Sequence, residues 1–507
     1  MSAAGDHIDP VLAYVFAREH GVVLLGAPET EGGRVRLGVR EGARPESLLE
    51  ARRAFGAPIQ TSAMTPSAFD RRLSELYSGR GFEDAAGPED DAANENLHSL
   101  VEGIPQTEDL LDSGDSAPVI RLINGLIAEA VKRKASDIHI EPFEDRLAIR
   151  FRIDGVLREV LSPSRRLAPA LVSRVKVMAR LDIAEKRVPQ DGRISLALGG
   201  HAIDVRVSTL PSRYGERVVL RLLDKDQARL DLSDLGMDGA TLDRLRRAIR
   251  QPNGIVLVTG PTGSGKTTTL YAAMTELNDR ERNILTVEDP IEYGLDGVSQ
   301  TQVNPKVGMT FAAGLRAILR QDPEIVMVGE IRDVETVQIA VQASLTGHLV
   351  LSTVHTNSAA SAVTRLRDMG VEPFLLASTM SAVLAQRLVR RLCPSCKEPY
   401  QPHPSEIALL QLPADAPADF ARPKGCMACG GTGYSGRTGI YELIVVDDAL
   451  RPLIHGDARE QEIEAQGLKG APNLLEAGSL AAARGETSVE EVLRTCRQKG
   501  ESQEGFD

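Results

Sequence analysis

Eight consecutive residues, Gly260-Pro261-Thr262-Gly263-Ser264-Gly265-Lys266-Thr267, have the types and spacing that a phosphate chain demands. The glycines let backbone N–H groups curl around a β-phosphate without side-chain clash. Lys266 offers a mobile positive charge to the β- and γ-phosphates, and the Thr267 hydroxyl is a hard oxygen ligand suited to Mg²⁺. The pattern is a complete Walker A loop, and Thr268 completes the candidate ATP-binding segment. An apolar run precedes it. A helical face of Leu270, Met274 and Leu277 follows, so the positive end of a helix dipole would point at the phosphates.

Three other apolar runs end in groups that could act on a bound nucleotide. Residues 284–287 lead into Glu288-Asp289-Pro290, residues 325–328 into Gly329-Glu330, and residues 349–354 into His355-Thr356. Ligands in an open parallel sheet lie beyond the carboxyl ends of the strands, so these groups are expected to converge on the loop. Glu330 is the candidate that orients or deprotonates the attacking water, and Glu288 would help to hold Mg²⁺ and its waters. His355 would sense or contact the γ-phosphate. His348 belongs at the other end of the same strand. For either histidine a structural hydrogen bond reads as well as a catalytic contact.

Four of the five cysteines form two pairs, Cys393/Cys396 and Cys426/Cys429, with 29 residues between the pairs. Two C-x-x-C knuckles supply four thiolates, which suits tetrahedral Zn²⁺ and leaves no position open for water. The site is therefore expected to be structural. Cys496 stands alone and has no assigned role.

The elements that must position these groups follow from the pattern. Continuous apolar runs at 255–258, 284–287, 325–328 and 349–354 alternate with helical sequence, as in a parallel sheet covered on both faces. Before it, Leu242, Leu245 and Ile249 share a helix face, with Arg244, Arg246, Arg247 and Arg250 reading as its solvated side. Residues 117 to about 230 read as a separate α+β domain. Val119, Leu122, Ile123, Leu126, Ile127 and Ala130 make one helix face there. Leu147, Ile149, Phe151 and Ile153 alternate with Arg150 and Arg152. Ile194, Leu196 and Leu198 face Ile203, Val205 and Val207 across a hairpin at Gly199-Gly200, and a further strand spans 218–222. Residues 1–80 form a small docking or packing module, with Val11, Leu12, Val15 and Phe16 at helical spacing and a strand at 22–25. Residues 81–116, rich in Asp, Glu, Gly, Ser and Asn, read as an acidic linker.

The whole chain has 507 residues, 42% hydrophobic and 26% charged, with a formal net charge of -12. Its length suits about three to five domains. The acidic balance disfavours a dedicated nucleic-acid binder. No apolar run of 18 or more residues suggests a membrane span, and the N-terminal residues lack a signal-peptide pattern, so the cytoplasm is the default location.

These motifs together resemble the type II/IV secretion ATPase superfamily, most closely the type II secretion system E-type ATPase (GspE family). Ser136-Asp137-Ile138-His139-Ile140-Glu141-Pro142, Arg150-Phe151-Arg152-Ile153-Asp154-Gly155 and Arg187-Val188-Pro189-Gln190-Asp191-Gly192-Arg193 carry the match ahead of the Walker loop. After it, Thr286-Val287-Glu288-Asp289-Pro290-Ile291-Glu292 resembles the family's Asp box, Gly329-Glu330-Ile331-Arg332-Asp333 resembles its Walker B, and residues 346–356 resemble its His box. The cysteine quartet resembles its zinc module. The resemblance covers nearly everything from about residue 110; the first 100 residues match only in general character. Asp322-Pro323-Glu324 departs from the usual Asp-Pro-Asp.

The resemblance implies an α/β multidomain chain: a small N-terminal docking domain (1–80), a linker (81–116), a PAS-like α+β middle domain (117–235), a RecA-like P-loop core (236–388), a four-cysteine zinc module (389–437) and a C-terminal helical region (438–507). It implies a homohexamer with ATP between the middle and RecA-like domains and with Arg206 and Arg221 reaching the γ-phosphate. Arg316, Arg320 and Arg332 also look like site or coupling residues, with surface salt bridging as the alternative. It further implies a motor for type II secretion (pseudopilus assembly) on the cytoplasmic face of the inner membrane. Its contacts would be the cytoplasmic domain of an L-type protein and an F-type platform protein, and it would touch the membrane only through such partners. A type IV pilus extension ATPase is the alternative, and a retraction motor fits less well because it normally lacks the zinc module. A nucleic-acid motor on the same core is disfavoured by the charge, and a non-catalytic scaffold by the intact Lys266, Thr267, Glu288 and Glu330.

Overall fold

The computed structural model describes residues 20–26, 34–40, 43, 45–55, 58–65, 69, 72, 97, 117–198, 201–224, 230–410, 412 and 419–496. The helix expected around residues 11–16, nearly all of the linker 81–116 and the Gly199-Gly200 turn lie outside the described residues. The chain divides into two compact units, Met1–Ile153 with Leu157–Leu222, and Asp154–Val156 with Leu223–Asp507.

The first unit begins with strands β1 (Val22–Gly26), β2 (Val35–Arg40) and β3 (Ile59–Met64), and helix α1 (Pro45–Phe55) joins β2 to β3. β1 and β2 are antiparallel, and β2 and β3 parallel. Val22, Leu24, Val35, Leu37 and Ala51 form a core of their own. The rest of the unit has helices α2 (Ala117–Lys132) and α3 (Ala168–Met178) with six strands: β4 (Ala135–Pro142), β5 (Leu147–Ile153), β6 (Val156–Leu161), β7 (Gln190–Leu198), β8 (His201–Ser212) and β9 (Gly215–Asp224). Their order in the sheet is β6-β5-β4-β9-β8-β7.

Strand alternation sorts that sheet by chemistry. Ile138, Ile140, Leu147, Ile149, Phe151, Val205, Val207, Val218 and Leu220 pack in one core with the apolar faces of α2 and α3. The intervening positions are ionic. Asp137 takes the Arg221 Nε at 3.0 Å and the Arg152 Nε at 3.6 Å; Glu141 takes Arg217 at 2.7 Å and also pairs with Arg150. His139 lies among them, its pKa lowered first by burial. The expected placement of Arg150 and Arg152 opposite the apolar face is what the sheet shows.

The second unit is built on a seven-stranded sheet. Its strands are β10 (Gly254–Thr259), β11 (Ile284–Glu288), β12 (Ser299–Gln302), β13 (Ile325–Val328), β14 (Leu349–Val354), β15 (Met380–Leu392) and, beyond the two-residue strands β16 (Glu398–Pro399) and β17 (Ala421–Arg422), β18 (Tyr434–Val445). The order is β12-β11-β13-β14-β10-β15-β18. Every pairing is parallel except β15 with β18. Helix α4 (Gly239–Ile249) precedes these strands; α5 (Lys266–Leu277), α6 (Phe311–Ile318), α7 (Val334–Leu345), α8 (Ala359–Asp368), α9 (Pro373–Thr379) and α10 (Pro404–Leu410) lie between them, and α11 (Arg451–His455), α12 (Glu460–Gly467), α13 (Leu474–Ala483) and α14 (Val489–Cys496) follow β18.

The centre of this sheet is buried on both sides, which is why β10, β11, β13 and β14 read as apolar runs. Ile255, Leu257, Val326, Val328 and Val350 join a core with α6, α7, α8 and the C-terminal helices. Val256, Val258, Met327, Leu349 and Leu351 join another with α4 and α5. Arg246 and Arg250 on α4 pair with Glu276 of α5, so that basic run serves helix packing as well as solvation.

Two strands cross the expected boundaries. β15 runs through the division at 388–389, and β18 through that at 437–438. The cysteine segment is thus an insertion between two strands of the main sheet, because the ladder from Ala382–Val445 to Leu392–Tyr434 continues up to the knuckles.

Candidate functional site

The loop 260–265 leaves the carboxyl end of β10, a central strand, and enters α5 at Lys266. Gly263 and Gly265 have φ of +81° and +86°, left-handed values that an L side chain adopts only with strain. Such reversals turn successive N–H groups into an anion-binding concavity. Pro261, Thr262 and Gly263 are exposed at its rim, while Thr267 and Thr268 are half-buried in the first turn of α5.

Lys266 is buried, and its Nζ donates to the carbonyl oxygens of Gly260 at 2.8 Å and Pro261 at 3.2 Å. Burial lowers its pKa to about 8; Glu330 acts in the opposite direction, and Arg387 lowers it further. The His355 Nδ1 lies 3.4 Å from the Nζ, and the His355 Nε2 lies 3.2 Å from a Glu330 carboxylate oxygen. Lys266, His355 and Glu330, contributed by three different strand ends, therefore form one polar chain. Arg332 pairs with Glu330 as well.

Backbone ties hold these strand ends. The Gly329 N–H donates to the Val287 carbonyl at 2.8 Å, and the Ile331 N–H to the Thr353 carbonyl at 2.9 Å, so the turn bearing Glu330 is fastened to both neighbouring strands. The Thr259 hydroxyl meets the Thr356 hydroxyl at 2.7 Å and accepts the Thr356 N–H at 2.9 Å, which fixes the turn bearing His355.

Glu288 is differently placed. It is 2% exposed and sits in a cage of donors: the Tyr271 hydroxyl, the Thr286 hydroxyl at 2.5 Å and the Gln300 Nε2 at 3.0 Å. Burial first, then the charge of Glu288, pushes the Tyr271 phenol far above its ordinary range, so Tyr271 is a donor at any working pH. The cage is separate from the Lys266–His355–Glu330 chain; Glu288 reaches the loop's helix through Tyr271 of α5.

His348 lies at the opposite end of β14, with its Nδ1 2.8 Å from the Ala343 carbonyl. Glu324, the departure from the Asp-Pro-Asp pattern, lies at the start of β13, where it accepts the Asn283 N–H at 2.6 Å. Both are remote from the loop along their strands. Arg316 pairs with Glu335 at 2.6 Å, and Arg320 donates to the Arg316 carbonyl at 2.8 Å. In the first unit, Arg206 lies on β8 opposite Arg193 of β7, and Arg221 is held by Asp137.

The four cysteine sulfurs lie within 4.8 Å of one another. Cys393–Cys426, Cys396–Cys429 and Cys426–Cys429 are 3.9, 3.8 and 3.7 Å apart. A tetrahedron with zinc–sulfur bonds of about 2.3 Å has edges of about 3.8 Å, so the quartet fits a tetrahedral thiophilic cation. Burial opposes ionisation of Cys429. The N–H groups of Cys426 and Gly433 and the neighbouring thiols outweigh it and bring the thiol down to about 6. Cys496 is buried in α14, and burial pushes its thiol up to about 12.

The pattern of motifs left several groups unmarked: Tyr271 and Gln300 around Glu288, Thr259 beneath His355, and Gln386 beneath the loop. Gln386 left a signal, a polar residue directly after the apolar run Ala382-Val383-Leu384-Ala385.

Residues 112–494 match the family described as "Type II/IV secretion system protein", and residues 11–77 match a domain family of "GSPII protein E". The N-terminal match extends the likeness to a segment that by its sequence pattern matched only in general character. The chain is 57% identical over 490 residues to the "Type II secretion system protein E" of Aeromonas hydrophila, covering 96% of this chain and 97% of that one. It is 59% identical over 454 residues to the "Type II secretion system ATPase E" of Vibrio cholerae, covering 89% and 90%. Among solved structures, the Legionella pneumophila ATPase DotB aligns with a TM-score of 0.54 at 23% identity, over 73% of this chain and 94% of that one, a likeness of fold.

Proposed function

The chain belongs to the type II/IV secretion system protein family, and on that premise we propose that residues 260–268 grip Mg-ATP while Glu330 orients the water that attacks the γ-phosphorus. The protein is an ATP hydrolase of type II secretion. The observation that carries the assignment of roles is the chain Lys266–His355–Glu330, which brings a cation, an imidazole and a carboxylate from three strand ends to one loop.

Lys266 exchanges its two loop carbonyls for phosphate oxygens, and Thr267 offers its hydroxyl to Mg²⁺. Glu330 polarises the water. As its oxygen bonds to the γ-phosphorus, the bond to the bridging oxygen breaks and ADP leaves. His355, touching both Lys266 and Glu330, registers whether the γ-phosphate is present. Glu288, caged by Tyr271, Thr286 and Gln300, would help to hold Mg²⁺ and its waters once nucleotide is bound. Arg206 and Arg221 neutralise charge on the transferred phosphoryl group, the role that the family pattern implies. The cysteine quartet holds one structural Zn²⁺.

The working form that we propose is a homohexamer on the cytoplasmic face of the inner membrane, recruited through the N-terminal domain by the cytoplasmic part of an L-type protein and acting on an F-type platform protein. Family membership supports this reading. No helix among the described residues is long and apolar enough to cross a membrane, which is consistent with contact through partners. The six-domain plan of the sequence stands as part of the proposal, with the zinc segment inserted between β15 and β18.

Lys266→Ala tests the assignment. The variant is expected to keep the wild-type circular dichroism and to release phosphate at less than about one hundredth of the wild-type rate. Wild-type turnover in that variant would remove the loop from the mechanism.

A further inference from the structure

Gln386 lies within β15, 1% exposed, directly beneath the phosphate loop. Its Nε2 donates to the Ser264 carbonyl at 2.5 Å, and its Oε1 accepts the Thr269 hydroxyl at 2.8 Å. One amide therefore ties the last turn of the loop to the first turn of α5. The approach is close: a Cβ at Gly265 would stand 3.1 Å from the Gln386 Nε2, and one at Gly260 would stand 2.5 Å from the Gln386 carbonyl oxygen. That carbonyl is itself held by the Arg387 guanidinium at 3.1 Å, which also donates to the Asn357 carbonyl at 2.8 Å.

The consequence follows from the planarity of the peptide. In a trans peptide the C=O and the following N–H point to opposite sides. Drawing the Ser264 carbonyl onto β15 turns the Gly265 N–H away from β15. A flipped Ser264–Gly265 peptide would leave the buried Nε2 and the Ser264 carbonyl without each other, and each unsatisfied buried group is penalised.

We propose that Gln386 is a positioning residue for phosphate binding: by holding the Ser264 carbonyl it aims the Gly265 N–H at the β-phosphate. The proposal rests on the reading that residues 260–268 hold the phosphates, and ADP binding by the unaltered protein tests that reading separately.

The experiment compares full-length Gln386→Met, Gln386→Glu and Thr269→Val with the unaltered chain, measuring the Kd for ADP by calorimetry and the KM and kcat for ATP. Gln386→Met keeps the volume and removes both hydrogen bonds; Gln386→Glu keeps an acceptor for Thr269 and loses the amide donor. A grip equally present in ground and transition states acts on KM rather than kcat. Both Gln386 variants are therefore expected to raise the ADP Kd and the ATP KM about tenfold, with kcat within about threefold. Thr269→Val, which spares the Ser264 contact, is expected to stay within about threefold in all three constants. Wild-type ADP affinity in Gln386→Met, a fall in kcat at unchanged KM, or a Thr269→Val variant as impaired as Gln386→Met would each overturn the proposal. Loss of the circular dichroism signal in both Gln386 variants would make the residue a core-stability element and overturn it too.

Discussion

At the scale of single residues, the site is governed by burial acting on charge. Lys266 is held near a pKa of about 8 by desolvation, and a bound polyanion favours its protonated form. The sign is then fixed: nucleotide affinity is full below about pH 8 and falls as pH rises through that value, by at most about tenfold per pH unit. ADP titrated at pH 7 and pH 9 should bind about tenfold more weakly at the higher pH, with proton uptake visible as a buffer-dependent enthalpy. A flat profile would mean that Lys266 stays charged in the free loop. Glu288 gives a second case. Its caged carboxylate loses one donor in Tyr271→Phe, and hydrogen bonds to charged groups are worth about 1.5–3 kcal/mol, so urea unfolding should report a loss of that size. An unchanged midpoint would deny the contact. The Walker loop was legible in the sequence because its chemistry is local. Tyr271, Gln300 and Gln386 were not, because they act across 17, 12 and 122 residues, on Glu288, Glu288 and Ser264 respectively.

At the scale of elements, β10, β11, β13 and β14 announced themselves because full burial on both faces demands unbroken apolar runs. The other three strands of the sheet did not. β12 is the edge sequence Ser-Gln-Thr-Gln, β15 is interrupted by Gln386, Arg387 and Arg390, and β18 opens with Tyr-Ser-Gly-Arg-Thr-Gly. Gln386, Arg387 and Arg390 each have a specific tertiary partner, as when Arg390 meets Glu491 at 2.7 Å, and such partners carry no signal in local periodicity. Hence the cysteine segment looked like a separate module when it is an excursion between β15 and β18. Among the described residues, the cluster beside its knuckles is Leu392, Ala421 and Tyr434. Leu410 and Phe420 anchor the middle of the excursion in the main core, so the knuckles are the part with little apolar support of its own, and the proposed metal would supply it. The unaltered protein is expected to carry about one zinc per chain by elemental analysis, and Cys396→Ser less than about a tenth of that. Hydrogen exchange should rise in the variant across residues 393–434 while β10, β11, β13 and β14 stay protected. Metal-free wild-type protein, or unchanged exchange in Cys396→Ser, would refute a structural zinc.

At the scale of the whole molecule, the division of labour was visible from composition and period: an N-terminal module without chemistry, an acidic stretch, an α+β domain and a parallel-sheet core. What the sequence could not place were the seams, because β15 and β18 pair residue by residue across the boundaries that composition suggested. The N-terminal seam is a different matter. β1, β2, β3 and α1 enclose Val22, Leu24, Val35, Leu37 and Ala51, a cluster that among the described residues draws on no other element. The family match to the secretion ATPase proper begins only at residue 112. A module with its own core and none of the site residues should be removable without cost to nucleotide binding. A chain starting at residue 112 is therefore expected to fold, to bind ADP within about threefold of the full-length Kd, a difference of ~0.6 kcal/mol, and to show the same pH dependence. What it should lose is recruitment: in a strain lacking the full-length gene, it should leave secretion unrestored despite normal ADP affinity. Restored secretion would remove the docking role from residues 1–80, and a truncated chain that failed to bind ADP would show that the nucleotide core depends on a module with which it shares no site residue.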